Sequence, residues 1–161
     1  MTIFVLGPSR NDRDDSPLHA RRWLARFLRS TGVDVVVMEE EPDAPGENNL
    51  AKFQRLVREH DVTAYLLHVP VGARLHGLSV EVGHLLTRIQ DGDLDPARVH
   101  LALQLGAASV GDDGVLALAE PGNRTRYYED LIDEGCPVHR WSDRRSLVRH
   151  AVAVAVEDSL R

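Results

Sequence analysis

The chain is organised around the stretch Gly77-Leu78-Ser79-Val80-Glu81-Val82-Gly83-His84-Leu85-Leu86, which follows an apolar run and opens a helical pattern. Ser79 is predicted to cap that helix, because its hydroxyl can accept a backbone N–H of the first turn. Glu81 then lies in the first turn, where the helix dipole and the free N–H groups favour its ionised form. Such a carboxylate suits a nucleophile or a stabiliser of positive charge, although acidic residues also occur in first turns for stability alone.

Strand and helix patterns alternate five times along the chain. The predicted strands are short apolar runs at residues 3–6, 34–38, 63–69, 99–105 and 137–141. Amphipathic stripes between and after them predict helices, the last of which, residues 142–160, is capped by Ser142. This alternation predicts one doubly wound α/β domain over residues 1–161, with a mainly parallel five-stranded sheet in the flavodoxin-like order 2-1-3-4-5 and helices on both faces.

Composition restricts the class of protein. The 161 residues carry a net charge of -6, which argues against a nucleic-acid polymer as the main partner. No apolar run reaches the roughly 20 residues of a membrane helix, and the start lacks the basic leader of a signal peptide. Cys136 is the only cysteine, so neither an internal disulfide nor a cysteine zinc cluster is possible. We therefore expect a soluble, cytoplasmic protein.

Three segments far apart in sequence are predicted to meet at one site. Open α/β sheets bind ligands beyond the carboxyl ends of their strands, at the switch in strand order. That rule gathers the segments after the first, third and fourth strands, at residues 7–10, 68–81 and 104–109. Glu81 would then lie over the switch point. The substrate-binding residues predicted beside it are Gly7, Pro8, Ser9, Arg10, Gly77 and Ser79.

Other patterns that would indicate a known chemistry are missing from the sequence. It contains no glycine-rich dinucleotide fingerprint and no phosphate loop with Gly-Lys-Ser/Thr, and no cofactor is predicted. Glu81 and His84 have the spacing of a di-iron bundle motif. That motif needs a second such pair and two further acids on a helix bundle, and this chain is not predicted to be a bundle, so no metal site is predicted. A catalytic triad stays open as an alternative, without a Gly-x-Ser-x-Gly elbow to support it.

A first strand that ends in Gly7-Pro8 and a Gly-x-Ser-x-Glu-x-Gly element from Gly77 to Gly83 resemble the nucleoside 2-deoxyribosyltransferase-like proteins. That family includes nucleotide N-glycosidases and is similar in fold to TIR-type domains. The resemblance implies a glutamate nucleophile, Glu81, which attacks the anomeric carbon of a nucleoside or nucleotide. It also implies a homo-oligomer in which a neighbouring subunit completes the pocket.

The sequence departs from the family pattern at its acidic positions. An aspartate usually stands six residues before the glutamate, where this chain has Leu75, and another follows the third strand, where residues 69–72 hold no acid. His76 is the candidate to replace the lost acid as proton donor to the leaving base. Two readings therefore stay open: an N-glycosidase or glycosyl transferase, and a non-catalytic nucleotide-binding or sensing module of the same fold.

Overall fold

The computed structural model of the chain describes residues 1–8, 16–72, 78–110, 116–118 and 126–160. Its centre is a parallel sheet of five strands: β1 (Thr2–Leu6), β2 (Asp34–Val36), β3 (Ala64–Val69), β4 (Val99–Gln104) and β7 (Val138–Trp141). The strand order is β2-β1-β3-β4-β7, and every neighbouring pair is parallel. The predicted doubly wound α/β sheet and its order 2-1-3-4-5 are confirmed, because the fifth predicted strand is β7.

In the described ranges, five α-helices connect or follow the strands. They are α1 (Ser16–Ser30), α2 (Asn49–Glu59), α3 (Ser79–Gln90), α4 (Arg126–Asp133) and α5 (Arg144–Ser159). A short 3-10 helix, Met38–Glu40, follows β2, and another, Pro96–Arg98, precedes β4. The strands β5 (Ala108–Val110) and β6 (Leu116–Leu118) form a separate antiparallel pair between β4 and α4.

The sheet separates two apolar cores. One face packs under α2, α3 and α4 and includes Phe4, Leu67, Leu85 and Cys136. The other packs under α1 and α5 and includes Val5, Leu66, Leu24 and Trp141. β1 and β3 are buried along their whole length, as expected for central parallel strands whose two faces are both covered.

The last helix begins differently from the prediction. Asp143, and not Ser142, is the N-cap of α5, and its carboxylate accepts the backbone N–H of Ser146 at 2.8 Å. The Ser146 hydroxyl in turn accepts the Asp143 N–H at 3.1 Å, which completes a capping box. The reciprocal pair needs a polar side chain three residues after the cap, and Ser146 provides it for Asp143.

Among the described residues, no helix is long and apolar enough to cross a lipid bilayer.

Candidate functional site

The site lies at the carboxyl ends of β1 and β3, the two strands between which the order of the sheet reverses. From β1 the chain continues to one neighbour, β2, and only then returns to the other, β3. The helix α3 follows β3 and places Glu81 in its first turn. The topology therefore brings Glu81 to the switch point, where ligands bind in open α/β folds.

The start of α3 corrects one expectation. The N-cap is Leu78, and Ser79 is the first helical residue, so Ser79 does not cap the helix. Leu78 already has near-helical dihedral angles, with φ -100° and ψ -5°, whereas a capping serine needs an extended backbone. Ser79 is instead buried within the first turn, two residues before Glu81.

Glu81 is completely buried, and its burial changes the pKa of its carboxyl group. Neither carboxylate oxygen has a hydrogen-bond partner on another described residue. Burial raises the pKa of Glu81 above its usual value; the residue's own backbone N–H lowers the pKa in part, and the negative charge of Glu39 raises it further. The desolvation of the carboxylate thus outweighs the effect of the helix N-terminus on the pKa of Glu81.

Arg21 of α1 lies at the same end of the sheet and is 1% exposed. Its Nη1 donates to Glu39 Oε2 at 3.0 Å and its Nη2 donates to Glu39 Oε1 at 2.5 Å, so the pair is bidentate. The Arg21 Nε is buried without a partner among the described residues. A buried arginine with one unpaired N–H donor destabilises the fold, so Arg21 is a candidate functional residue.

Gly7 makes room for Arg21. A Cβ atom at Gly7 would lie 2.5 Å from Arg21 Cδ and 2.9 Å from the backbone oxygen of His68. Only glycine at the end of β1 therefore allows the arginine side chain to lie across the strand end. Pro8, the next predicted binding residue, is buried beside it.

His68, the penultimate residue of β3, is also buried without a partner for either ring nitrogen among the described residues. Its ring stacks on Trp141, with centroids 5.3 Å apart and planes 19° from parallel. Burial and the charge of Arg21 lower the pKa of His68 to about 3, so the imidazole is neutral at neutral pH. His68 lies inside a segment that the sequence placed at the site, but nothing in the sequence singled it out.

A cleft of about 550 Å³ opens next to Glu81, and it is bordered by the first residues of two helices. The described residues that line it are Asn48, Asn49 and Leu50 of α2 with its cap, and Val80 and Glu81 of α3. This volume is within the range of small-molecule pockets. Because Glu81 exposes none of its surface, a ligand in the cleft reaches the carboxyl group only after a small rearrangement of the wall.

The remaining predicted site residues, Ser9, Arg10, His76 and Gly77, lie outside the described residues. His84 is described, and its ring lies edge-on to that of Phe53 in α2, with the ring centroids 6.0 Å apart. Within the described ranges, no group of three or more histidine, cysteine or acidic side chains is arranged to hold a metal ion.

Comparison with known proteins gives one distant likeness. No protein-family model matches the chain, and no curated protein matches it in sequence. Among solved structures, it is similar to a 2-deoxyribosyltransferase from the psychrotolerant bacterium Bacillus psychrosaccharolyticus. The likeness covers 92% of this chain and 90% of that chain, with 14% sequence identity and a TM-score of 0.47.

Proposed function

We propose that this chain is an N-glycosidase or glycosyl transferase of nucleosides or nucleotides, with Glu81 as the nucleophile. The observation that carries the proposal is the Glu81 carboxyl group, which is fully buried, has no hydrogen-bond partner on another described residue and borders a cleft of about 550 Å³ at the switch point of the sheet. Since an unpartnered buried carboxyl group costs stability, its presence there favours a functional role.

The proposed reaction has two steps, and each step breaks one bond to the anomeric carbon and forms another. The base leaves with the electron pair of the N-glycosidic bond while the ionised Glu81 carboxylate attacks the anomeric carbon and forms a glycosyl ester. Water or a second base then displaces Glu81 from that carbon. His76 is the proposed donor of the proton that the leaving base takes up.

The raised pKa of Glu81 makes this reaction dependent on pH. Attack requires the carboxylate, and burial and Glu39 both favour the protonated form. We therefore expect the rate of base release to rise as the pH increases through the pKa of Glu81. The same desolvation that raises the pKa makes the carboxylate a stronger nucleophile once it is ionised.

One observation favours the second candidate, a non-catalytic nucleotide-binding or sensing module. A protonated Glu81 that exposes no surface can donate a hydrogen bond to a bound base or sugar, but it cannot attack carbon. In that case the cleft would bind the nucleotide and leave its glycosidic bond intact.

The test is base release from a panel of nucleosides, nucleoside monophosphates and NAD, from about pH 5 to about pH 9. The wild type is compared with Glu81→Gln and with the control Glu157→Gln. Glu157 is an exposed glutamate of α5, far from Glu81 in the sequence. Release that is lost only in Glu81→Gln supports the enzyme.

Two other results would decide against the enzyme. If calorimetry detects binding of a nucleotide but no base is released, the sensing module is supported. If the protein neither binds a nucleotide nor releases a base, both candidates are refuted.

The cytoplasmic location and the homo-oligomer expected from the sequence stay predictions.

A further inference from the structure

We propose that His100, His139 and His150 form an acid-sensitive latch, which holds the edge strand β7 on the sheet at neutral pH and releases it when the cluster takes up protons. The three side chains come from β4, β7 and α5, so the cluster joins three elements at one edge of the sheet. The candidate site lies elsewhere, at the ends of β1 and β3. The proposal therefore does not depend on the proposed function.

The three imidazole rings contact one another in a row. His100 is 1% exposed, and its Nδ1 lies 3.0 Å from Nε2 of His139, with the ring centroids 5.2 Å apart. The ring of His150 continues the row, since its centroid is 5.2 Å from that of His139. His150 Nε2 also lies 2.8 Å from the backbone oxygen of Arg140. The cluster therefore links β4 to β7 through two side chains, and β7 to α5 through a side chain and a carbonyl.

The hydrogen bond between His100 and His139 limits the number of protons that the pair can carry. One of the two nitrogens must donate an N–H, and the other must accept it through a lone pair. The bond forms when both rings are neutral or when one of them is protonated. Two imidazolium rings would present two N–H groups to each other and no acceptor. A second proton therefore breaks the bond and places two positive charges on adjacent rings.

The contact between His150 and the Arg140 carbonyl responds differently to acid. A carbonyl oxygen only accepts, so Nε2 of His150 carries the hydrogen of this bond in both charge states. Protonation of His150 at Nδ1 leaves the bond in place and adds a positive charge beside His139. Acid therefore breaks the link between β7 and β4, while β7 stays attached to α5.

The charges that act on the middle ring of the row do not cancel this repulsion. Burial lowers the pKa of His139, the charge of His150 lowers it further, and Glu157 of α5 acts in the opposite direction. Glu157 is exposed, so water and salt screen its negative charge. The cluster is thus least able to hold several protons at its centre.

The other charged side chains on the surrounding elements do not compensate the cluster either. Asp158 of α5 accepts the Thr63 hydroxyl at 2.6 Å and lies 3.9 Å from Arg98, so its carboxylate is already engaged. Arg140 and Arg149, each next in sequence to a histidine of the cluster, are exposed and positively charged. They add to the repulsion at this edge.

The strand β7 is the element that the cluster can release. It is a four-residue strand at the end of the sheet, and of its residues only Trp141 is buried. The carbonyl of Pro137, just before β7, accepts the N–H of Leu101 at 2.9 Å, and the carbonyl of Trp141 accepts the N–H of Leu105 at 2.8 Å. These two amides therefore report whether β7 is in place.

The test is amide hydrogen exchange by NMR at about pH 7.5 and about pH 5.5, on either side of the ordinary histidine pKa of roughly 6.5. Each rate is divided by that of an unstructured peptide at the same pH. The protection of Leu101 and Leu105 is expected to fall by about tenfold or more, the factor that corresponds to one pKa unit. The N–H of Thr63, which donates to the Thr2 carbonyl at 2.9 Å between β1 and β3, should lose less protection.

Two variants assign the effect to the cluster. His139→Phe removes the middle titrating group and keeps an aromatic ring in the row, so its protection should change little between the two pH values. His19→Gln is the matched control, because His19 is an exposed histidine of α1 outside the cluster. Its protection should fall as in the wild type.

If His139→Phe does not fold, His150→Gln takes its place, since a glutamine amide can still donate to the Arg140 carbonyl but carries no charge. This variant should lose less protection in acid than the wild type does. The proposal is overturned if the wild type keeps its protection at the lower pH, or if Thr63 loses as much as Leu101 and Leu105. A fall as large as that of the wild type in whichever cluster variant folds also overturns it.

Discussion

Replacement of Gly7 by alanine tests whether the site depends on the space at the end of β1. The added methyl group would lie 2.5 Å from Arg21 Cδ and 2.9 Å from the His68 backbone oxygen. The arginine stem can move, but the oxygen belongs to a central strand and cannot. Overpacking of this kind costs about 1–3 kcal/mol. If Arg21 moves far enough to lose Glu39, the buried charge raises that cost to about 3–5 kcal/mol.

Thermal unfolding followed by circular dichroism measures this loss. In a chain of this size, each kcal/mol lowers Tm by about 2–4 °C, so we expect Gly7→Ala to lower Tm by roughly 2–12 °C from overpacking alone. The control is Gly83→Ala on α3, where the nearest described atoms to the new methyl group are 3.9 Å away, in the ring of Tyr127.

The control is expected to change stability in the opposite direction. Gly83 lies inside a helix with room for a methyl group, so alanine there should stabilise the protein by about 0.5–1 kcal/mol. A Gly7→Ala variant as stable as the wild type, or an equal loss in both variants, would refute the idea that Gly7 is needed to admit Arg21.

Two further predictions concern pH. The raised pKa of Glu81 contributes stability below the ordinary value of 4.5, and this contribution is lost as the pH rises through the raised value. Glu81→Gln should therefore unfold at a higher urea concentration than the wild type near pH 8, with a gain of about 1.4 kcal/mol for each unit by which the pKa is raised. An advantage of the variant that does not shrink at acidic pH would contradict this. His68 has its pKa lowered from 6.5 to about 3, so its contribution is present above pH 6.5 and is lost as the pH falls; at pH 5, which is 1.5 units lower, the loss is about 2 kcal/mol. His68→Phe keeps the stacking on Trp141 and should remove that loss, measured as a smaller difference in urea unfolding between about pH 7.5 and pH 5.

The sheet could be predicted from the sequence because its central strands are buried on both faces. Runs such as residues 3–6 and 64–69 are almost wholly apolar, and the alternation of strands with amphipathic helices allows few arrangements of a parallel sheet. The position of Glu81 followed from the same rule, since the first turn after β3 must lie at the switch point.

The charged pair beside Glu81 could not be predicted in the same way. Arg21 lies on the face of α1 that Leu24 and Leu28 share, and a charged residue within an apolar stripe was the available signal. Its partner, Glu39, stands in an acidic segment whose members look alike in sequence, and only the packing of α1 over β1 selects it. The raised pKa of Glu81 could not be predicted from its place in the first turn, because the depth of burial depends on the complete fold.

The buried Cys136 makes the opening of one half of the molecule measurable. This thiol lies in the core between α4 and β7, and burial raises its pKa to about 12, so almost no thiolate is present to attack a thiol reagent while the protein is folded. Since it is the only cysteine of the chain, any label that the protein acquires reports a moment when that core has opened. The rate of labelling, with and without candidate nucleosides, would show whether a ligand in the cleft beside Glu81 slows that opening.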